Sequence, residues 1–157
     1  MTSFLGCNPT ATFLATDDKP TALGTISGAG GKDYVFVQAS AAIAQYDCCG
    51  VTATFTAAPI STTNGVLTGR AGVAQVAIPS GSSGWLLVMG TGQCNVVAST
   101  AANTRLNTTG TAGTLDGAGT ASSKAIIGIQ LSAARGAGNG PAPCVVANEP
   151  TVSTVVL

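Results

Sequence analysis

Short apolar runs broken by Gly, Pro, Asn and Ser recur along this chain, and no segment holds a helical period for long. That punctuation predicts an all-β fold. Tyr34-Val35-Phe36-Val37 reads as a strand entered from the turn Gly28-Ala29-Gly30-Gly31-Lys32-Asp33. Residues 51–56 alternate with period two. This predicts a half-buried strand with Val51, Ala53 and Phe55 on one face and threonines on the other. Residues 72–78, the loop 79–84 and residues 85–90 read as a hairpin. Residues 86–89 are continuously apolar, so the second arm of that hairpin should be buried on both faces. Further strands are expected at 93–98, 124–131 and 143–147. The Ala-rich stretches 39–44 and 99–104 are short helices or strand-to-turn connections; runs this short do not separate the two.

The pattern also hints at a duplication. Residues 35–47 can be laid on residues 95–107, and each half then reaches a Gly-led apolar strand, at Gly72-Val73 and Gly128-Ile129. Each of those strands precedes a Gly-rich loop, at 79–84 and 135–140. The expected architecture is a compact β-sandwich or barrel of short strands with Gly/Ser/Thr-rich loops and a possible internal duplication. Residues 1–21 form an extended N-terminal arm, and 22–157 a single β-rich domain. The arm carries Phe4, Leu5, Phe13 and Leu14 without a regular period, so it should be mobile or laid on a partner surface. Residues 152–157 are β-prone and suited to an edge, in this chain or a neighbour.

Composition sharpens this picture. A chain of 157 residues can bury a real core as one domain. Its apolar content is 45% but its aromatic content only 4%, so the core must be mostly Val, Ile, Leu and Ala, with Trp85 a rare large piece. Charged residues make up 8%, far below the usual quarter or so, and the formal net charge is zero. No basic face is available for nucleic acid. So weakly charged a surface suits an assembled state better than a free monomer. No apolar run approaches the ~20 residues that span a bilayer, and Met1-Thr2-Ser3-Phe4-Leu5 does not read as a signal peptide. Synthesis and use without secretion are the expectation.

Candidate chemistry is thin. The chain has no histidine, and its acids are Asp17, Asp18, Asp33, Asp47, Asp116 and Glu149. No catalytic, cofactor-binding or metal-ligating residue is assigned, and an enzyme is not expected. Cys7, Cys48, Cys49, Cys94 and Cys144 are odd in number and lack a Cys-x-x-Cys spacing, so they read as small buried thiols in a reducing compartment. Gly28 to Lys32 lacks phosphate-loop spacing and leads into a strand. Gly81-Ser82-Ser83-Gly84 is not a nucleophile elbow. A deep pocket holding Asp47 or Asp116 beside Lys124 or Arg105 would revive the enzyme reading. Trp85 could stack on a sugar, which keeps a carbohydrate-binding β-sandwich as the alternative. Its place at the head of an apolar strand favours a core or subunit interface, with Leu87 and Met89.

Three segments carry a family resemblance. They are the strand–loop–strand from Arg70-Ala71-Gly72-Val73-Ala74-Gln75-Val76-Ala77 to Trp85-Leu86-Leu87-Val88-Met89-Gly90; Leu106-Asn107-Thr108-Thr109-Gly110-Thr111-Ala112-Gly113-Thr114-Leu115-Asp116; and Ile127-Gly128-Ile129-Gln130-Leu131-Ser132-Ala133-Ala134-Arg135-Gly136. Over residues 22–150 the chain resembles the head-decoration, or cement, proteins of tailed bacteriophages. The resemblance implies a β-rich homotrimer on the capsid exterior that bridges neighbouring subunits of the major capsid protein, with no cofactor and no catalytic residue. Under that reading Phe4, Leu5, Phe13 and Leu14 are the candidate coat contacts, followed by the loops 79–84 and 135–140.

Overall fold

The computed structural model describes residues 6–63 and 69–156, which are strand, turn and irregular chain with no helix. Ten strands form one hydrogen-bonded sheet: β1 (Ile26–Ala29), β2 (Lys32–Ala39), β3 (Cys48–Val51), β4 (Thr56–Pro59), β5 (Arg70–Ala74), β6 (Ser83–Val96), β7 (Leu106–Thr108), β8 (Leu115–Asp116), β9 (Lys124–Leu131) and β10 (Gly140–Val156). The all-β expectation holds.

The sheet closes on itself twice. β2 pairs with β4, β4 with β3, β3 with β5, β5 with β6, and β6 returns to β2. The second circuit starts from the same β6, which pairs with β8, β8 with β7, β7 with β9, β9 with β10, and β10 returns to β6. In each circuit the first contact is parallel and the others antiparallel. Two small five-stranded barrels therefore share one long strand, and closure removes most free strand edges.

The duplication is explicit in the hydrogen bonds. Tyr46 donates to the Ala74 carbonyl, and 57 positions later Asn103 donates to that of Leu131. Ile43 pairs with Ile78, and 57 positions later Arg135 donates to Thr100. Ser40 donates to Ala57, and Val97 to Leu115. The register suggested by laying Val35 on Asn95 is thus three residues out. The structure matches Val37 with Cys94 and Ala39 with Val96, all four buried.

Side-chain alternation then sorts the core. Val35, Val37, Leu86 and Val88 point into the first barrel. Tyr34, Phe36, Trp85 and Leu87, from the opposite faces of the same strands, join one cluster with Cys94, Leu115, Leu131 and Cys144. Two-faced burial is why residues 85–88 read as an unbroken apolar run. β10 faces solvent on one side, and its buried Ala142, Cys144 and Val146 alternate with exposed Pro141, Pro143 and Val145.

Several local expectations are corrected. Residues 51–56 are a tight reversal between β3 and β4, with Phe55 at φ 59°. Thr52 Oγ1 bonds the hydroxyls of Thr54 and Thr56 and accepts from the Thr56 N–H, so the threonines build a turn and not a ranked face. Residues 85–90 and 93–98 are not two strands. β6 runs through both, bending at Gly90 (φ 113°) and at Gly92, where an added Cβ would lie 2.6 Å from Leu87 Cδ2. β5 stops at Ala74, leaving Ile78 as an isolated bridge. Ala39 ends β2, and the stretches 40–44 and 99–104 are irregular connections at corresponding places in the two barrels.

The arm from Gly6 onward lies on its own sheet. Cys7 N–H donates to the Gly28 carbonyl of β1, and Phe13 exchanges backbone hydrogen bonds with Ser83. The Phe13 ring meets Phe36 edge-on at 5.8 Å.

Candidate functional site

The acids act mainly as local scaffolding. Asp17 Oδ2 accepts from Leu14 N–H, and Asp116 Oδ1 from Ala118 N–H. Asp47 accepts from Ala44 N–H and from Asn95 Nδ2, each at 3.0 Å. Asp47 is buried, and desolvation raises its pKa above the ordinary carboxylate value, outweighing the opposing hydrogen bonds from Asn95 and Ala44. It joins the barrels, since Asn95 also donates its N–H to the Tyr46 carbonyl and Cys48 N–H donates to Gly113. Gly30 and Gly31 form the two-residue turn between β1 and β2, both with positive φ, in place of any phosphate cradle.

The five thiols are free, and Cys48, Cys49, Cys94 and Cys144 are fully or almost fully buried. Burial pushes Cys48 and Cys49 well above the usual thiol range. Cys94 is pushed up by its hydrogen bond to Cys144 and by burial. Such thiols are poor nucleophiles. Among the described residues no group of three or more His, Cys, Asp or Glu side chains is placed to hold a metal ion.

Two features remain as candidates. The first is a cavity of about 560 Å³ between the arm and the sheet, lined by Cys7, Phe13, Thr21, Thr25, Ser27 and Trp85 among others. A much smaller cleft beside Val35, Val51 and Val88 of the first barrel holds Arg70, whose guanidinium lies over the Phe55 ring, and Glu149. Neither is lined by Asp47, Asp116, Lys124 or Arg105.

The second is an outward apolar surface. Six large hydrophobic side chains are exposed among the described residues, and four of them, Ile127, Val145, Val155 and Val156, lie on the neighbouring strands β9 and β10. Val145 pairs with Gln130, and Ile127 with Thr151, across that ribbon. The usable signal in the sequence was Val145 beside Val146, since adjacent strand residues face opposite sides of the sheet and one of them is exposed wherever a single side is covered.

Of the proposed coat contacts, Phe4 and Leu5 lie outside the described residues. Phe13 is half-buried against the core, and Leu14 is 57% exposed. Trp85 is 4% exposed and tilted against Phe36, with ring centres 4.9 Å apart. Leu87 is fully buried, and Met89 is part-exposed where β6 begins to bend. Comparison with known protein families found none that matches the chain, and no curated protein matches it either.

Proposed function

We propose that this protein is a structural virion component that decorates the outside of a tailed-phage capsid and stabilises it, bridging neighbouring coat subunits as a homotrimer. The observation that carries the reading is the concentration of exposed apolar side chains on β9 and β10. Patches of this kind, on a surface with so little charge, mark contact with another protein. The three segments that resemble cement proteins support the same view: they hold β5, β7, β8, the first part of β6 and the last part of β9. A pair of closed barrels tied through Asp47 and Asn95 is a stiff body, suited to bridging subunits without deforming.

The mechanism is additive burial. Standard interfaces bury about 1,600 Å², and several linked contacts gain from effective concentration, so individually weak ones can hold a shell. Phe13 anchors the arm to its own sheet, which leaves Leu14, Ile26 and the β9–β10 surface as the large apolar groups facing outward among the described residues. Light scattering on the purified chain, then co-sedimentation with capsids lacking it, tests the proposal. The expected result is a trimer that pellets with intact shells and not with free coat subunits. A monomer that stays in the supernatant would end the reading.

A further inference from the structure

The cavity beneath the arm has an unusual lining for a space of about 560 Å³. That volume is within the range of small-molecule sites, roughly 300–1,000 Å³. Among the described residues no charged side chain borders it, so an ionic ligand would find no counter-charge there and would be desolvated at a cost. Its apolar walls include Phe13, Pro20 and Trp85.

Its polar groups are hydroxyls and one amide. Thr21 and Thr25 hydroxyls bond each other at 2.8 Å, and the Thr25 hydroxyl also donates to the Ala22 carbonyl. Ser27 also lines the cavity. Asn8 Oδ1 accepts from both the N–H and the hydroxyl of Thr10, which fixes the side chain and leaves its NH₂ group as a donor.

Trp85 gives the decisive observation. It is more than nine-tenths buried, yet among the described residues its indole N–H has no hydrogen-bond partner. A buried indole N–H normally finds an acceptor. The fully sealed side-chain atoms without partners are Ser83 Oγ and Asn107 Oδ1. The indole nitrogen is not one of them, so it is not fully sealed, and Trp85 lines the cavity.

We infer that the cavity between the arm and the sheet is a binding site for a neutral pyranose sugar, with the Trp85 indole N–H donating to a sugar oxygen and Ser27 and Asn8 completing the polar contacts. A hydrocarbon would leave the indole N–H unpaired. A pyranose offers both acceptor oxygens and an apolar C–H face for Phe13 and Pro20. Phe36 already covers part of the indole, so the sugar meets the tryptophan at its edge. The site goes beyond shell binding and does not depend on it, because the test uses the free protein.

Trp85 is the chain's one tryptophan, so a ¹⁵N-labelled sample has a single indole N–H resonance. Glucose, galactose, mannose and N-acetylglucosamine are titrated in turn into the full chain. At least one should move that resonance saturably. Ser27→Ala or Asn8→Ala should weaken that sugar about fivefold to tenfold, the effect of one lost hydrogen bond, with the free-state spectrum otherwise kept. Exposed Ser80→Ala should leave the affinity unchanged. The inference is overturned if none of the four sugars moves the resonance, if the two variants bind as the parent does, or if cyclohexanol produces the same saturable shift.

Discussion

Where the first barrel closes its mouth with Ile43 against Ile78, the second sets Thr100 against Arg135. The isoleucines are almost fully buried and exchange two backbone hydrogen bonds. The later pair keeps one of the two, from Arg135 N–H to the Thr100 carbonyl. The Thr100 hydroxyl turns back to the Val97 carbonyl, and the guanidinium reaches the carbonyls of Gly138 and Pro141. Inside the barrels Val37 corresponds to Cys94 and Leu86 to Cys144, so aliphatic groups give way to thiols at unchanged burial. Backbone pairing does not depend on side-chain type, whereas packing depends on volume. One ladder plan can therefore persist while its contents change. The outer faces differ more. The first barrel's outer residues Phe36 and Trp85 are covered by the arm and the shared core, while the second leaves Ile127 and Val145 in solvent.

The largest expected effects come from cutting each barrel at its centre. Leu86→Ala in the first barrel and Leu115→Ala in the second should each cost about 2–5 kcal/mol, measured by urea denaturation. Because β6 belongs to both barrels, Trp85 fluorescence and far-UV circular dichroism should report one coincident transition in each variant. Separate transitions would show that the barrels fold independently.

Next comes the seam. Gly113 has φ 79°, and an added Cβ would lie 2.3 Å from Asp47 Cγ. Gly113→Ala should cost about 2 kcal/mol or more, whereas Gly81→Ala, also at positive φ but with open space around it, should cost about 1–2 kcal/mol. Equal losses in thermal melts would remove the special role of the seam.

Asp47 gives a smaller, pH-dependent effect. Its folded pKa is raised by burial, so the folded state holds the proton more tightly than the unfolded chain. The contribution of this group is therefore greatest at low pH. It falls as pH climbs from the ordinary carboxylate value, about 3.9, through the raised folded value, and then levels off. Asp47→Asn should flatten that part of the urea-midpoint profile; an unchanged profile would mean that Asp47 is not its source.

The smallest stability effect belongs to the open face. Ile127→Ser with Val145→Ser should change stability by less than about 1 kcal/mol, as exposed substitutions do, yet abolish co-sedimentation with shells. A large loss of stability would mean that the face serves the fold.

Much of this architecture was readable from the chain. Residues 124–131 coincide with β9; the turn expected over 28–33 narrows to Gly30–Gly31 between β1 and β2; and the two-faced burial expected of 86–89 holds for 86–88, with Met89 part-exposed. Other features were hidden for identifiable reasons. Tyr46, Phe55 and Glu149 take positive φ although none of them is a turn-marking residue, so the sequence did not announce these turns. Gly90 and Gly92 looked like a break because glycine marks a bend inside a strand as readily as its end. The repeat slipped by three residues because its equivalences are kept in backbone bonds, while Ile43 and Ile78 became Thr100 and Arg135. The cavity was invisible because its walls come from the arm, β1 and β6, which only the fold brings together.

Amide hydrogen exchange on the protein, free and bound to capsids that lack it, tests the central claim most directly. The account predicts slower exchange on binding around Ile127 and Val145, with β3 and β4 unchanged. Protection confined to the first barrel, or none anywhere in the presence of shells, would contradict it.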